Sequence, residues 1–454
     1  MPLRVAVVAR AVFPLHGYGG LERHVHDLVR HLAREGVEVT LITPPPRRTT
    51  DQGPTTTDHP PSPRLRRASG LPAFAKATGK RAADYELRAT DYEPRQSASV
   101  RILHVPYSTF PFAGRRGTTI LDRDTAYPLF GERAGRLAWR LAQQGDIDIV
   151  HGLGAAVLGY ARRRASASAP LVLNPQGLEE FGATDPSRAR LKRAAYLPLR
   201  RAVLACARAA DRVIATDRVL EPAVLRHLHV PKAKVRLIPN AIDLEALDAA
   251  ASGDAAPRIR GAAGLGPDDV VLLSVGRLEA NKGFGVMVDA LGALAAHGAP
   301  LTGRWRWILV GDGPNRRTLE RAAERAGLGG HVTFAGRLPD PELHAWYEAA
   351  TLFVHPTLYE GSSLVTLEAM GHRRPIVATR AGGLPDKVRG GLNGWLVEPG
   401  QPGALAAAIS GALGQPLERL REMGAASRAI VEQEFAWPAV TRSLLDMYVE
   451  LTHT

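Results

Sequence analysis

Two glutamates, Glu360 and Glu368, lie at either side of a glycine and serine stretch in the segment YEGSSLVTLE. Ser362 or Ser363 is a suitable helix N-cap and LVTLEAM is helical in character, so Glu360 should precede a helix. Glu368 then lies about five residues, or roughly 8 Å, along that helix. Because helical side chains lean toward the N-terminus, we expect both carboxylates to face one helix end.

A ligand that contacts both acids would carry hydroxyl groups at its two ends and an anionic group between them. Unpaired backbone amides at a helix N-terminus attract negative charge, and the amides concerned are those of Gly361, Ser362, Ser363 and Leu364. A sugar, a diphosphate and a ribose in a row meet this description, which is the order of groups in a nucleotide sugar. An acid near a helix start can also simply complement the helix dipole, and that interpretation fits Glu360 better than the deeper Glu368.

A pair of cations follows another strand, in the segment SVGRLEANKG. Arg277 comes two residues after the strand, and Lys282 lies beside Gly283 at the start of the next helix. Two such cations could hold a diphosphate and neutralise it as a leaving group. The alternative is a solvated loop with two surface charges. Only 7 of the 58 basic residues are lysines, which makes Lys282 noteworthy.

A glycine-rich turn follows the first strand, in PLHGYGGLERH. Gly17, Gly19 and Gly20 run directly into a helix, so backbone amides could approach a phosphate there. The pattern is neither a P-loop nor a full dinucleotide fingerprint, and a plain tight turn explains it equally well.

The elements that must position these residues are short β-branched runs that alternate with amphipathic helices along the whole chain. This alternation predicts an α/β protein with two Rossmann-like, doubly wound parallel sheets. We place the first domain at 1–240, with a partly disordered insertion at 44–98 that is rich in proline and threonine. The second domain is placed at 241–435, and 436–454 is a C-terminal helix that could pack back on the first. Ligands bind at the carboxyl ends of such strands, so the motifs should meet in a cleft between the domains.

The bulk composition narrows the class of protein. No apolar run reaches the roughly 18 to 20 residues that a membrane-spanning helix needs. The opening RVAVVA could be taken for part of a signal peptide, but a glycine turn and an amphipathic helix follow it, which favours a first strand. The single Cys206 excludes an internal disulfide and suits a buried position. The formal charge of +13 favours an anionic partner, yet the basic residues are too dispersed to predict nucleic-acid binding.

The spacing of Glu360 and Glu368 resembles the E-x7-E motif of retaining glycosyltransferases with the GT-B fold, family four. Other segments agree in order, and the similarity covers nearly the whole chain outside residues 44–98: GYGGLERHV, IPNAID, GRLEANKG, LVGDGPNRRTLE, VTFAGRLPDPEL, HPTLYEGSSLVTLEAM and AGGLPDKVRGGLNGWLVEPG. The resemblance implies that Glu368 binds the donor ribose and Glu360 contacts the donor sugar.

The same resemblance implies further roles. Arg277 and Lys282 would hold the diphosphate, and Gly19 with Gly20 would lie near it from the other domain. Backbone groups of two residues after the strand VTFAG would hold the base, and these are Arg337 and Leu338.

One position departs from the family pattern. Members commonly have a histidine after the strand PLVLN, near the reacting sugar, where this chain has Gln176. Glutamine donates and accepts hydrogen bonds but does not titrate near neutral pH. His151 is another candidate for that place, although a lone histidine at a strand end is more often structural. With the diphosphate charge met by cations and a helix end, we expect no metal and no other cofactor; the acid pairs at Asp122 to Asp124 and Asp146 to Asp148 are common by chance.

The expected activity is therefore transfer of a hexosyl group from a nucleoside-diphosphate sugar to an acceptor hydroxyl, with retention implied by the family. The expected partners are the nucleotide sugar and a carbohydrate or lipid-linked acceptor, in the synthesis of cell-surface glycans or glycolipids. We expect a cytoplasmic protein, and its basic helical segments allow peripheral contact with the inner face of the plasma membrane. A nucleotide-sugar epimerase of similar fold and a noncatalytic nucleic-acid binder remain as alternatives.

Overall fold

The computed structural model describes residues 2–16, 20–46, 100–107, 119–176, 178–182, 196–251, 253–297 and 304–453. Within them the chain divides into two compact units. The first holds the described residues up to Ala241 together with the C-terminal segment from Trp437, and the second runs from Ile242 to Ala436. The predicted insertion at 44–98 lies, except for its first three residues, outside the described ranges.

The N-terminal unit is built on a seven-stranded sheet in which every pair of neighbours is parallel. Its order is β3-β2-β1-β4-β5-β6-β7. The strands are β1 Arg4–Val8, β2 Glu38–Thr43, β3 Val100–His104, β4 Ile149–Leu153, β5 Leu171–Asn174, β6 Arg212–Ala215 and β7 Val235–Leu237. Strands β1, β4 and β5 are almost entirely buried, as expected for a parallel sheet covered by helices on both faces.

Helices cover both faces of this sheet and form two separate apolar clusters with it. They are α1 Gly20–Arg34, α2 Thr119–Gln143, α3 Leu158–Ala161, α4 Leu197–Ala209 and α5 Leu220–Leu228. The C-terminal helix, Trp437–Thr452, packs beside α1 in the second of these clusters. Cys206 is completely buried in α4, where burial raises the pKa of its thiol to about 12, so it is an inert core residue.

The C-terminal unit has a six-stranded parallel sheet in the order β10-β9-β8-β11-β12-β13. Its strands are β8 Val270–Val275, β9 Trp305–Val310, β10 Val332–Gly336, β11 Leu352–His355, β12 Ile376–Thr379 and β13 Gly394–Val397. Its helices are α6 Leu244–Ala250, α7 Ala255–Ala262, α8 Phe284–His297, α9 Arg316–Arg325, α10 Asp340–Ala349, α11 Leu364–Gly371, α12 Leu384–Lys387, α13 Pro402–Leu413 and α14 Leu417–Ile430.

The predicted fold class is confirmed, because each unit is built on a parallel sheet covered by helices, and the predicted strands RVAVVA, PLVLN and VTFAG contain β1, β5 and β10. The opening segment forms β1, a central strand of its sheet, as the strand interpretation requires. No helix in the described ranges is both long enough and apolar enough to cross a bilayer.

Candidate active site

The C-terminal sheet has its topological switch point between β8 and β11. From β8 the chain adds β9 and β10 on one side, then returns to place β11, β12 and β13 on the other. The loops that leave the carboxyl ends of β8 and β11 lead to helices on opposite faces of the sheet, and ligands bind at such a switch point in open parallel sheets. These loops carry the cation motif and the paired acids.

Two glycines allow the loops after β8, β11 and β12 to approach one another closely. Gly283 has φ +69°, and a Cβ there would lie 1.9 Å from the carbonyl oxygen of Pro356. Gly382 has φ +51°, and a Cβ there would lie 2.0 Å from the carbonyl oxygen of Glu360. Both positions require glycine for its conformation and for the space. A hydrogen bond of 2.8 Å from the Leu358 amide to the Asn281 carbonyl ties two of these loops together.

This close approach places Lys282 directly beside Glu360. The ammonium Nζ of Lys282 donates to Glu360 Oε2 at 2.8 Å, and His355 Nε2 lies 2.8 Å from the same oxygen. His355 is the last residue of β11 and is completely buried, whereas the Lys282 and Glu360 side chains are 20% and 12% exposed. The Gly361 amide donates to the second carboxylate oxygen, Oε1, at 3.1 Å.

The charge states in this group follow from their surroundings. Burial by itself would raise the pKa of Glu360, but the hydrogen bond with His355 and the charge of Lys282 hold that pKa well below its usual range. Burial lowers the pKa of His355, so its ring is neutral at neutral pH. A neutral His355 must carry its hydrogen on Nε2 to donate to the carboxylate. Glu360 is therefore a fixed anion, suited to accept hydrogen bonds rather than to exchange protons.

Helix α11 begins directly beside this group. The Ser363 hydroxyl accepts from the Thr366 amide and caps the helix, as the sequence predicts. In the part of the chain that the structure describes, the amides of Ser362, Ser363 and Leu364 have no acceptor. The Gly361 amide is already engaged by Glu360, so three of the four amides expected to meet a ligand are available.

Glu368 lies one turn into α11, and its carboxylate accepts a hydrogen bond from Tyr347 of α10. The Tyr347 hydroxyl donates to Glu368 Oε2 at 2.8 Å. Tyr347 is completely buried and stacks on the ring of His372, with centroids 5.5 Å apart and planes at 10°. Burial and the neighbouring carboxylate raise the pKa of Tyr347 well above its usual value, so it remains a donor. One oxygen of Glu368 is thus fixed while the other can meet a ligand.

Three further predicted residues lie on loops of this unit. The Arg277 side chain is 73% exposed and pairs with Glu279 of its own loop, Nη2 to Oε1 at 2.6 Å. Arg337 directly follows β10 and is exposed, and Leu338 packs against the apolar core of the unit. Their proposed roles toward a diphosphate and a base stay predictions.

The predicted residues of the N-terminal unit are described only in part. Gly19 lies outside the described residues, and Gly20 is the first residue of α1. Gln176 follows β5 with φ +61°, an uncommon conformation for a residue with a side chain. Its backbone N–H donates to Asn174 Oδ1 at 3.1 Å. The buried side-chain nitrogen Nε2 of Gln176 has no partner in the described part of the chain. Such strain with an unsatisfied donor is typical of functional loops.

His151 and the acid pairs have structural partners instead. His151 is 1% exposed in β4, and its Nδ1 lies 2.6 Å from the hydroxyl of Tyr448 in the C-terminal helix. Burial lowers its pKa to about 3, which suits a neutral packing residue. Asp148 pairs with Arg4 at 2.6 Å, and the Leu199 amide donates to Asp124 at 3.4 Å.

Sequence reasoning missed three residues of the site: His355, Tyr347 and Lys387. Lys387 is a buried lysine whose ammonium donates to the Ser362 hydroxyl at 3.2 Å. One sequence signal was available for it. Lys282 and Lys387 are the only lysines after residue 242 in a chain that otherwise uses arginine.

Two family profiles match the chain. The profile described as Glycosyltransferase Family 4 matches residues 18–118 and 99–246, which together span half of the chain. The profile described as Glycosyl transferases group 1 matches residues 269–415, which include the paired acids, Lys282 and Lys387.

Individual proteins agree with these profiles. A D-inositol 3-phosphate glycosyltransferase of Streptomyces scabiei is 27% identical, with 100% of this chain and 92% of that protein covered. The solved structure of sucrose-phosphate synthase from Thermosynechococcus elongatus superposes with a TM-score of 0.70 at 22% identity and covers 99% of both chains. HepE of Anabaena, solved in complex with UDP-glucose, gives a TM-score of 0.64 at 20% identity over 99% of this chain and 100% of that one. These structures share the GT-B fold with the present chain.

Proposed function

The chain belongs to glycosyltransferase family 4, and we propose that it moves a hexosyl group from a nucleoside-diphosphate sugar to an acceptor hydroxyl with retention at the anomeric carbon. The observation that carries this proposal is the grouping of Lys282, Glu360 and His355 at the N-terminus of α11. A cation, a fixed anion and unpaired helix amides lie together at the switch point of the sheet. That combination suits an anionic ligand with hydroxyl groups.

Each group has a proposed role toward the donor. The amides at the start of α11 and the ammonium of Lys282 bind the diphosphate, because both present hydrogen-bond donors and positive charge. Glu360 accepts hydrogen bonds from sugar hydroxyls through Oε1, the oxygen that neither Lys282 nor His355 uses. Glu368, oriented by Tyr347, accepts from the ribose hydroxyls.

The proposed mechanism is front-face attack by the acceptor hydroxyl as the diphosphate departs. Its main demand is stabilisation of the negative charge that grows on the leaving oxygen, which Lys282 and the helix amides supply. Glu360 does not act as a proton carrier here, since its pKa is held well below neutral pH. The departing diphosphate itself helps to take the acceptor proton, so Gln176 needs only to hydrogen-bond and not to titrate. Because protein cations meet the diphosphate charge, we propose that transfer needs no metal.

A transfer assay tests this function. UDP-, GDP- and ADP-sugars are first screened for thermal stabilisation of the purified chain, and the selected donor is then incubated with acceptors. We expect a glycosylated product whose anomeric configuration, read by NMR, matches the donor. Conversion of the donor without acceptor would indicate an epimerase. Salt-sensitive DNA retention with no nucleotide-sugar affinity would indicate a nucleic-acid binder.

For the acceptor we propose a carbohydrate or lipid-linked hydroxyl in cell-surface glycan or glycolipid synthesis, on the cytoplasmic side of the membrane. D-inositol 3-phosphate is the first soluble acceptor to test, because several relatives carry that name and the chain has a formal charge of +13. A lipid-linked acceptor would be supported by co-sedimentation with anionic liposomes at low salt and release at high salt. Activity on soluble acceptors with no liposome binding would exclude peripheral membrane contact.

A further inference from the structure

Lys387 is an unusual residue for a protein interior. It is the last residue of α12 and is completely buried. Its Nζ donates to the Ser362 hydroxyl at 3.2 Å and to the Gly383 carbonyl at 3.3 Å, and it lies 5.5 Å from the centroid of the Phe435 ring. Burying an ammonium is costly even with such partners, so its position beside α11 indicates a role beyond packing.

The chemistry of this contact fixes the direction of the Ser362 hydroxyl. A lysine ammonium is only a donor, so Ser362 Oγ must accept from it. The hydroxyl hydrogen of Ser362 is then left to donate elsewhere. Within the described residues Ser362 Oγ has no other partner. Ser362 is half-buried and directly precedes the N-cap of α11, beside the amides assigned above to the diphosphate.

We propose that Ser362 donates its hydroxyl hydrogen to an anionic oxygen of the donor diphosphate, and that Lys387 positions and polarises this hydroxyl. This inference rests on the proposed function and adds the Ser362 hydroxyl and Lys387 to the diphosphate site. Ser362 is the contacting residue. Lys387 is a positioning residue that acts through it from inside the protein.

The charge of Lys387 also affects the pKa of a neighbouring group of the site, His355. Burial is the main cause of the lowered pKa of His355, and Lys282 and Lys387 lower it further, against the opposite effect of Glu360. The buried ammonium therefore adds to the positive field at the start of α11. A hydroxyl that accepts from an ammonium is polarised, which makes it a stronger donor to a phosphate oxygen.

The backbone of Lys387 has a separate, structural role. Its carbonyl accepts from Asn393 Nδ2 at 3.0 Å, and Asn393 Oδ1 accepts from the Arg389 amide at 2.7 Å. Substitution by methionine keeps this backbone contact and much of the side-chain volume. Lys387→Met therefore removes the ammonium without removing the turn that Asn393 stabilises.

The test measures affinity by calorimetry for a nucleoside, its monophosphate and its diphosphate. The probes are uridine, UMP and UDP, or the matching guanosine or adenosine series where the donor screen selects that base. We expect Ser362→Ala and Lys387→Met each to weaken UDP binding about tenfold and to leave uridine binding within about twofold. Ser362→Thr keeps the hydroxyl and should restore UDP affinity to within about threefold of the native chain.

The double variant tests whether the two residues act together. If Lys387 acts through Ser362, adding Lys387→Met to Ser362→Ala should weaken UDP binding by much less than a second factor of ten. The matched control is Lys234→Met, which removes a lysine whose Nζ donates to the Ala210 carbonyl in the N-terminal unit. That variant should bind UDP as the native chain does.

Three outcomes would overturn the inference: native UDP affinity in Ser362→Ala, equal losses for uridine and UDP, or fully additive losses in the double variant. Should Lys387→Met fail to fold, Ser362→Ala still tests whether the hydroxyl contacts the diphosphate. Ser362 is half-buried in a loop, so we expect this variant to fold. Failure of the proposed function is distinguishable, since the native chain would then show no transfer in the acceptor assay, whatever UDP affinity the variants have.

Discussion

The two units have the same parallel-sheet architecture but use their buried titratable residues differently. In the C-terminal unit His355 is placed with Lys282 and Glu360, at the carboxyl end of the sheet. In the N-terminal unit the buried histidines face the C-terminal helix, where the rings of His31 and Trp437 stack with centroids 5.3 Å apart. In this unit the histidines serve packing.

The contrast shows that burial alone does not identify a functional residue. His355 and His151 are both buried, and burial lowers the pKa of each. What distinguishes them is the partner. His355 orients an ionised carboxylate where a sheet opens, whereas His151 meets the hydroxyl of Tyr448 on a packing helix.

The largest effect should follow from Lys282→Ala. Loss of one well-placed donor to a developing charge typically costs about 3 to 4 kcal/mol, or about 10²- to 10³-fold in rate. We expect kcat for transfer to fall by that factor in a protein that still folds, with a lower unfolding midpoint because Glu360 loses its cationic partner. Lys234→Ala is the control in the other unit and should keep native turnover. Normal turnover of a folded Lys282→Ala protein would refute the assignment.

Glu368→Ala should chiefly weaken nucleotide binding. Hydrogen bonds to a charged group contribute about 1.5 to 3 kcal/mol, so we expect about a 10- to 100-fold loss in affinity for the nucleoside diphosphate. Tyr347→Phe keeps the carboxylate and removes the group that orients it, so its loss should be smaller. Calorimetry with the 2′,3′-dideoxy nucleotide provides the control. This ligand lacks the ribose hydroxyls, so neither variant should bind it more weakly than the native chain does. An unchanged affinity in Glu368→Ala would remove this residue from the ribose site.

Tyr448→Phe should affect stability and not the donor site. It removes the hydroxyl that lies 2.6 Å from His151 Nδ1 and leaves a buried polar group with one partner fewer. We expect the free energy of unfolding to fall by about 1 to 2 kcal/mol. Denaturant titration measures this change. A Tyr448→Phe protein with a weakened nucleotide affinity would show that the separation between packing and functional histidines is wrong.

The smallest effect concerns the pH dependence of unfolding. Burial and the charges of Arg30 and Arg34 lower the pKa of His31 to about 3, against an unfolded value near 6.5. Below pH 6.5 the unfolded chain binds a proton that folded His31 does not, so stability falls as the pH falls. Asp27, whose pKa burial raises to about 6, acts in the opposite direction.

His31→Phe keeps a ring against Trp437 and removes this titration. Between pH 6.5 and 5.5 the variant should therefore lose about 1 kcal/mol less unfolding free energy than the native chain. Parallel curves for His31→Phe and the native chain would show that His31 is already charged in the folded state.

Much of the fold could be predicted from the sequence because its strands are short apolar runs separated by glycine turns and helices. Buried parallel strands need such runs, and RVAVVA, PLVLN and VTFAG contain β1, β5 and β10. The paired acids could be predicted for the same local reason. Glu360 and Glu368 are separated by a helix start, and their positions depend on helix geometry.

The remainder of the site depends on tertiary packing that no local pattern encodes. Tyr347 reaches Glu368 because α10 packs beside α11, and Lys387 reaches Ser362 because Gly382 lets two loops touch. Arg277 is a residue whose position could be predicted but whose side-chain partner could not. Its position after β8 is as predicted, yet its side chain pairs with Glu279 of its own loop.

The most direct test of the account is a crystal structure of the chain with UDP, or with GDP or ADP where the donor screen selects that base. We predict diphosphate oxygens within hydrogen-bond distance of Lys282 Nζ and the Ser362 hydroxyl, and the ribose hydroxyls at Glu368. A nucleotide bound with its diphosphate away from the start of α11, or with its ribose remote from Glu368, would contradict the account.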